Sequence, residues 1–287
     1  MIIVKIIGGL GNQMFQYALG RSLEKKTGKD LKLDINGFSE YKLHNYGLNN
    51  FVLNCQFVDI NELMQVDNKY YNKINKLLPN FIHIGYKKVL ENSFAYSNCI
   101  SNLRDNVYLD GYWQSEKYFN SIRNILLEDF KFKQSPSLPN LNILNHINDC
   151  NSISVHIRRG DYINNAKTLQ KHGVTSLEYY RKAINYIIER IDKPFFFIFS
   201  DDINWAKQNL FLKHPTIFVD INNSSNNYED LRLMKNCKNN IIANSSFSWW
   251  GAWLNEFSDK IVVAPKNWFN DNTIETKDII PENWITL

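Results

Sequence analysis

Two adjacent arginines close a strand-like run with apolar residues at alternate positions in His156-Ile157-Arg158-Arg159-Gly160-Asp161-Tyr162. Strand alternation puts His156 and Arg158 on one face and Ile157 on the other. Cations at the end of a parallel strand are costly unless they meet an anion. A guanidinium fork matches phosphate oxygens two at a time. Arg158 therefore reads as an anion ligand, and Gly160 permits a sharp exit from the strand. For Arg159 a surface salt bridge with Asp161 stays open. The embedded Arg-Gly-Asp tripeptide is discounted as an adhesion motif at a strand-to-loop position.

Three further clusters could carry chemistry. Gly8-Gly9-Leu10-Gly11-Asn12-Gln13 follows another apolar run. Glycines let a backbone approach a ligand, and helix N-termini attract anions. Against the dinucleotide fingerprint G-x-G-x-x-G/A, Gly9 and Gly11 fit, but Met14 occupies the third position. Asp34 lies about where a ribose-binding acid would. An NAD(P)-dependent oxidoreductase thus stays open as an alternative, as does a purely structural turn. Asn12 and Gln13 favour a ligand, because amides offer donors and acceptors without charge. Phe199-Ser200-Asp201-Asp202 ends a third apolar run; its acids suit a metal, a ribose diol or the N1–H and 2-amino edge of guanine, or simply cap a helix. Asn244-Ser245-Ser246-Phe247-Ser248-Trp249-Trp250-Gly251-Ala252-Trp253-Leu254 offers hydroxyls and N–H groups at a helix start, which suit a phosphate or ribose. Trp249, Trp250 and Trp253 cannot all share one face, so one or two are expected in the core. Asn244-Ser245-Ser246 also matches a glycosylation sequon, which matters only in a secreted chain.

The elements that must hold these clusters alternate. In the second half the pattern predicts strands over 152–157, 195–199, 216–219, 240–243 and 261–264. Between them come a helix capped by Ser176 with a Tyr180, Ala183, Ile184, Ile187, Ile188 stripe, and helices from 203, around 230–237 and from 247. The first half opens with a strand over 2–7, a glycine turn over 8–12, a helix that Gly28 can end and a strand over 31–34. Regularity fades over 37–106 and returns in a strand over 107–112. Residues 134–140, with two prolines and two serines, read as a linker. The expected fold class is α/β, with two Rossmann-like domains (1–135 and 150–287) facing a cleft and ligands at the carboxyl ends of strands.

Composition narrows the partners. The 287 residues are 22% charged and 44% hydrophobic, which is globular rather than disordered. A net charge of +4 admits an anionic ligand or membrane surface but does not argue for nucleic acid. Aromatics at 14% favour a stacking site for a sugar or base. No apolar run approaches a bilayer span and no secretory signal pattern is visible, so the expected location is cytoplasmic, with Cys55, Cys99, Cys150 and Cys237 reduced. Lys69, Lys73 and Lys76 share one helical face beside Tyr70, Ile74, Leu77 and Leu78. Such a stripe docks an ordinary surface helix, or alternatively touches anionic lipid as a peripheral contact at the inner membrane.

In order along the chain, G-G-L-G-N-Q, H-I-R-R-G-D-Y, S-D-D and S-S-F-S-W-W-G-A-W-L resemble the bacterial α-1,2-fucosyltransferases of glycosyltransferase family 11. The resemblance runs from the first strand to Trp268. Residues 37–106 carry no matching motif and are where acceptor recognition is expected. The resemblance implies a GT-B-like fold and inverting transfer of L-fucose from GDP-β-L-fucose to the 2-hydroxyl of a terminal galactose. It implies no metal and no cofactor beyond that donor. Arg158 would hold the β-phosphate and His156 with Asp201 or Asp202 the nucleoside. Ser245, Ser246, Phe247 and Ser248 would meet the pyrophosphate. Asn12 would face the fucose and phosphate, with Gln13 and Arg159 completing the donor site. A general base should take the acceptor proton; Asp161 is the first candidate and His172 the second. The acceptor would be a galactose-terminated oligosaccharide, lipid-linked in many bacterial relatives. A non-catalytic sugar-nucleotide- or glycan-binding protein is the alternative from another class.

Overall fold

The computed structural model describes residues 1–40, 43–66, 85–104, 106–160, 169–170, 173–271 and 273–287. Asp161 and His172, and the lysine face of Lys69, Lys73 and Lys76, lie outside the described residues. The chain forms two units: Met1–Lys133 with Lys277–Ile279, and Gln134–Thr276 with Ile280–Leu287.

The N-terminal unit is a parallel sheet with strand order β3-β2-β1-β5-β4. Its strands are β1 (Ile2–Lys5), β2 (Leu31–Asp34), β3 (Gln56–Phe57), β4 (Lys87–Leu90) and β5 (Val107–Asp110). Its helices are α1 (Leu10–Thr27), α2 (Ile60–Val66), α3 (Asn98–Ser101) and α4 (Arg123–Asp129). β1 is central and fully buried at Ile2, Ile3 and Val4. α1 lies hard against the sheet because Gly20 leaves room: a Cβ there would come 2.6 Å from Val4 and Leu31 methyls. Gly28 ends α1 with φ of 69°, its N–H 2.8 Å from the Glu24 carbonyl. The chain runs outward from β1 through β2 to β3 and returns on the other side, so the strand order reverses between β1 and β5. The weakly patterned stretch 37–106 holds β3 and β4. Both are edge strands with exposed or half-buried side chains, so neither alternates in the way a half-buried strand would. Asp278 ties the late segment Lys277–Ile279 to this unit, accepting from Tyr96 N–H and Lys117 Nζ at 2.8 Å each.

The C-terminal unit has strand order β11-β10-β9-β6-β7-β8, again parallel. The strands are β6 (Asn151–Ile157), β7 (Pro194–Ser200), β8 (Thr216–Val219), β9 (Asn239–Ile241), β10 (Val262–Ala264) and β11 (Ile285–Thr286). The helices are α5 (Leu138–Asp149), α6 (Leu177–Ile188), α7 (Ile203–Asn209), α8 (Tyr228–Asn236) and α9 (Ser246–Trp253). Both sheet faces are covered. Ile153, Val155 and Ile157 of β6 pack on Tyr180, Ala183, Ile184 and Ile187 of α6. Phe197 and Phe199 of β7 pack on Ile147 of α5 and Leu233 and Met234 of α8. Each such fully buried side chain contributes about 1.5–3 kcal/mol, and burial on two faces explains why β7 is apolar throughout. The chain moves from β6 to β7 and β8, then crosses to β9, β10 and β11, which puts the reversal between β6 and β9.

Two expectations need correcting. The proline- and serine-containing stretch 134–140 is only partly a connection: Ser137 is the N-cap of α5 and Pro139 sits in its first turn, where a missing N–H costs nothing. The tryptophans of α9 are not divided between core and surface. Trp249, Trp250 and Trp253 are all buried, because Trp249 also meets Trp284, at 5.4 Å between ring centroids.

Candidate active site

In the C-terminal unit the reversal point brings together the carboxyl end of β6, the loop after β7 and the start of α9. Open α/β sheets bind ligands in such crevices. His156 is the last inward-facing polar residue of β6, paired across the sheet with Phe199. It is 4% exposed, and its ring centroid lies 5.8 Å from that of Phe247. Burial first, and then the Arg158 charge, push its pKa down to about 3; Asp201 opposes this only in part. The imidazole is therefore neutral, and its Nδ1 has no hydrogen-bond partner among the described residues.

Arg158 begins where the strand stops. Its Nε lies 3.3 Å from Asp201 Oδ2, with both side chains about a quarter exposed (24% and 22%). The other Asp201 oxygen, Oδ1, accepts the Arg159 N–H at 2.8 Å, and Asp201 also takes the Gly160 N–H. Burial raises the Asp201 pKa, but Arg158 and these two N–H groups outweigh it and hold the carboxyl below its usual range. Asp201 is thus a pin that fixes both the guanidinium and the backbone turn. Gly160 lets the two loops close, since a Cβ at 160 would stand 3.3 Å from the Asp201 carbonyl oxygen.

Asp202 points elsewhere. It caps α7, accepting the Trp205 N–H at 3.2 Å, and its Oδ2 lies 3.8 Å from Arg159 Nε. The Arg159 guanidinium lies 4.3 Å above the Trp205 ring. Among the described residues, the partners of Arg159 are therefore Asp202 and Trp205. Sequence reasoning missed Trp205; an aromatic one turn into the helix after the acids was the available signal.

At the start of α9, Ser245 is the N-cap residue, in extended conformation. The first N–H groups of a helix lack intrahelical acceptors, so Ser246 and Phe247 offer donors there. Ser248 does not fit the role expected of it. It is 1% exposed and its hydroxyl donates to the Ser245 carbonyl at 3.3 Å, inside its own helix. Asn244, read from sequence only as part of a sequon, anchors this loop. Its Oδ1 accepts from Thr175 Oγ1 at 2.9 Å and its Nδ2 donates to the Trp268 carbonyl at 3.2 Å. Among the described residues, no three His, Cys, Asp or Glu side chains are grouped to hold a metal ion.

The glycine turn belongs to the N-terminal unit. Gly8 takes φ of 77°, and Gly9 precedes α1 as its N-cap. Gln13 is buried completely, and its amide is consumed: Nε2 donates to the Gly8 and Asn45 carbonyls at 2.8 and 2.9 Å, and Oε1 accepts the Gly47 N–H at 2.9 Å. It staples a loop to the turn rather than facing a ligand. Asn12 is half-buried, with its Oδ1 accepting from Gln114 Nε2 at 2.7 Å.

No helix among the described residues is long and apolar enough to cross a membrane. Comparison with known proteins places the chain. The model of the family described as Glycosyl transferase family 11 matches residues 1–287. An Alpha-1,2-colitosyltransferase of Escherichia coli is 36% identical over 100% of this chain and 99% of its own length. The O-antigen biosynthesis glycosyltransferase WbnK of Escherichia coli is 35% identical over 98% of each chain. Galactoside alpha-(1,2)-fucosyltransferase 2 of Hylobates lar is 22% identical over 88% of this chain and 69% of its own. An arginine-to-lysine variant of Arabidopsis thaliana FUT1, solved with GDP, aligns over 99% of this chain and 75% of that one with a TM-score of 0.55 at 9% identity. This likeness supports the fold alone, two parallel α/β units of GT-B type. A family match along the whole length, together with two full-length relatives above one-third identity, makes this chain a glycosyltransferase of family 11.

Proposed function

We propose that the protein moves L-fucose, or a close deoxy relative of it, from a GDP-sugar to the 2-hydroxyl of a terminal galactose with inversion. The observation that carries this reading is the Arg158–Asp201 arrangement at the β6 end, held in a chain that matches an α-1,2-colitosyltransferase end to end. Inversion needs one in-line displacement. The anomeric carbon–phosphate oxygen bond breaks as the carbon–acceptor oxygen bond forms, GDP leaves with the electron pair, and the acceptor proton goes to a base. Arg158 is the group assigned to the β-phosphate, where negative charge grows; a cation already pinned there needs no reorganisation at the moment of reaction. Ser245, Ser246 and Phe247 supply the helix-start donors to the pyrophosphate. Neutral His156 faces the nucleoside as a hydrogen-bonding group that adds no charge. Asp202 is the more exposed acid, and its Oδ2, 3.8 Å from Arg159 Nε, is less closely held than either oxygen of Asp201, so Asp202 is the one assigned to the guanine edge. Asn12 stays assigned to the fucose and phosphate of the donor. Asp161 and His172 stay assigned as first and second candidates for the base.

The donor sugar is the finer question. Colitose is L-fucose without its 3-hydroxyl, so the two GDP-sugars differ by one hydroxyl. A site that hydrogen-bonds that hydroxyl would reject the deoxy sugar strongly, whereas an apolar pocket discriminates far less. The acceptor assigned is a galactose-terminated glycan of a bacterial surface polysaccharide presented on a lipid carrier, a reading supported by the relative named for O-antigen biosynthesis. Purified protein given GDP-L-fucose or GDP-colitose with a panel of galactosides tests the whole reading. An α-1,2-linked product, identified by NMR, is expected from one donor or both, and activity should survive EDTA. Binding of GDP-sugar with neither transfer nor hydrolysis would replace it with the non-catalytic alternative.

A further inference from the structure

In the N-terminal unit the strand order reverses between β1 and β5, which makes their carboxyl ends a candidate ligand crevice in their own right. Three irregularities gather at the β5 end. Trp113, 1% exposed, holds φ at 58°, a region that bulky side chains avoid. Gln114 is 7% exposed, yet its Oε1 is buried without a partner among the described residues, and so is Trp113 Nε1. Gly111 tolerates no side chain, since a Cβ there would lie 2.4 Å from Glu91 Cβ and 2.9 Å from the Trp113 ring. Packing does not require these features; methionine at 114 would fill similar space and strand no acceptor. The corner is held by the Glu91 carboxylate, which takes the N–H groups of Tyr112 and Trp113 at 2.7 and 2.8 Å. Strain and unpaired buried polar atoms that persist under such restraint point to a functional constraint.

What the corner delivers is one hydrogen bond, Gln114 Nε2 to Asn12 Oδ1 at 2.7 Å. An amide whose oxygen is taken on one side presents its NH2 on the other. Gly8 makes room for that group, because a Cβ at position 8 would come 2.9 Å from Asn12 Nδ2. We propose that Gln114 is the positioning residue of Asn12. It locks the Asn12 side chain so that Nδ2, a neutral donor, meets an oxygen of the nucleotide-sugar, either on the phosphate or on the sugar. The ligand class rests on the GDP-sugar reading above; the orientation of the amide does not.

Two measurements separate those layers. Side-chain amide exchange by NMR in the ligand-free protein reads the lock directly. The Gln114 Nε2 protons should be protected and the Asn12 Nδ2 protons should exchange fast, with Gln114→Met abolishing the preference. Protected Asn12 protons beside exchanging Gln114 protons would overturn the proposal whatever the substrate. The second is a double-mutant cycle on GDP-L-fucose and GDP affinity by calorimetry, alongside transfer kinetics. Asn12→Ala and Gln114→Met should each weaken GDP-fucose binding by about tenfold, a loss of about 1.4 kcal/mol, and the double variant should be no weaker than Asn12→Ala. If GDP affinity falls in parallel, the contact is to phosphate; if only GDP-fucose weakens, it is to the sugar. Additive losses would show that Gln114 acts without Asn12 and would sink the idea. Gln114→Glu, which would take Asn12 Nδ2 and turn its oxygen outward, should be worse than Gln114→Met at equal thermal stability; the reverse ranking contradicts the lock. Wild-type protein that binds no GDP-sugar would overturn the ligand assignment while leaving the exchange result to judge the orientation.

Discussion

The two reversal points share an architecture and differ in chemistry. At the β1–β5 point of the N-terminal unit three amides, Asn12, Gln13 and Gln114, are fixed by carbonyls and one another, beside a Lys5–Asp110 ion pair and the Glu91 carboxylate that holds the corner. At the β6–β9 point of the C-terminal unit the polar groups are charges, Arg158 and Arg159 against Asp201 and Asp202, with a histidine kept neutral among them. The strand-to-helix frame supplies only the crevice. The residues placed in it decide whether the crevice is suited to reading hydroxyls or to absorbing charge. In a glycosyl transfer, charge develops on the departing diphosphate, and the charged region is the one equipped to meet it.

The sharpest way to break that comparison is Arg158→Lys. The charge remains and the planar fork is lost, so kcat/KM should fall by about 100-fold or more, at the lower end of what removing a preorganised transition-state donor costs. Turnover near wild type would show that a point charge suffices and that the two regions differ less than their residues suggest. Nucleotide competition comes next. GDP should compete with the donor, and ADP and UDP should compete at least about tenfold more weakly, because neither base carries paired N1–H and 2-amino donors for Asp202. Equal inhibition by all three would assign Asp202 to capping α7 and nothing more.

Much of this was legible along the chain. Two-sided burial makes β7 an apolar run up to Phe199, β6 alternates with Ile153, Val155 and Ile157 on one face, Ser176 caps α6 by accepting the Tyr179 N–H at 3.2 Å, and each motif sits where a strand stops. What escaped depends on distant residues. Gln114 and Asn12 are 102 positions apart, so no local pattern pairs them. Gln13 looks like a ligand until the loop carrying Asn45 and Gly47 consumes its amide. Ser248 reads as a phosphate donor because a hydroxyl at a helix start is one; its inward direction goes with the packing of α9, where Trp249 and Trp250 are also buried. β3 and β4 pair at sheet edges through their backbones, and their side chains carry no alternation to detect.

A milder effect should come from Trp205. The indole carries the Arg159 guanidinium at 4.3 Å, and Arg159 keeps about a quarter of its side chain exposed, 27%. A partly solvated cation–π contact is worth about 0.5–1 kcal/mol. Trp205→Ala should therefore raise the donor KM by about threefold to fivefold with little change in kcat, and Trp205→Phe should recover most of it. A fall in kcat equal to that of Arg158→Lys would mean that Arg159 is not the lesser arginine.

The smallest net effect lies in stability against pH, where the sign differs from group to group. His156 has its pKa depressed to about 3 by burial, so the unfolded chain binds its proton near pH 6.5 while the folded chain does not. Its contribution is present above pH 6.5 and is lost as pH falls toward 3, at up to about 1.4 kcal/mol per pH unit for one proton. Asp230, at the start of α8 in the same unit, opposes it. Burial raises its pKa to about 6, so its contribution is full below pH 3.8 and is lost as pH rises through 6. At the amide-built corner the titrating group is Glu91, raised by burial, and it has the sign of Asp230. Between pH 6 and 4 the wild type should therefore show a shallow dependence in denaturant unfolding, because opposite slopes offset one another. Asp230→Asn should unmask a steep loss of stability on acidification. His156→Gln should instead leave stability rising on acidification, with the gain coming from Asp230 and Glu91. If His156→Gln leaves the wild-type slope unchanged, the histidine is not held neutral, and the charged crevice carries one more cation than the comparison allows.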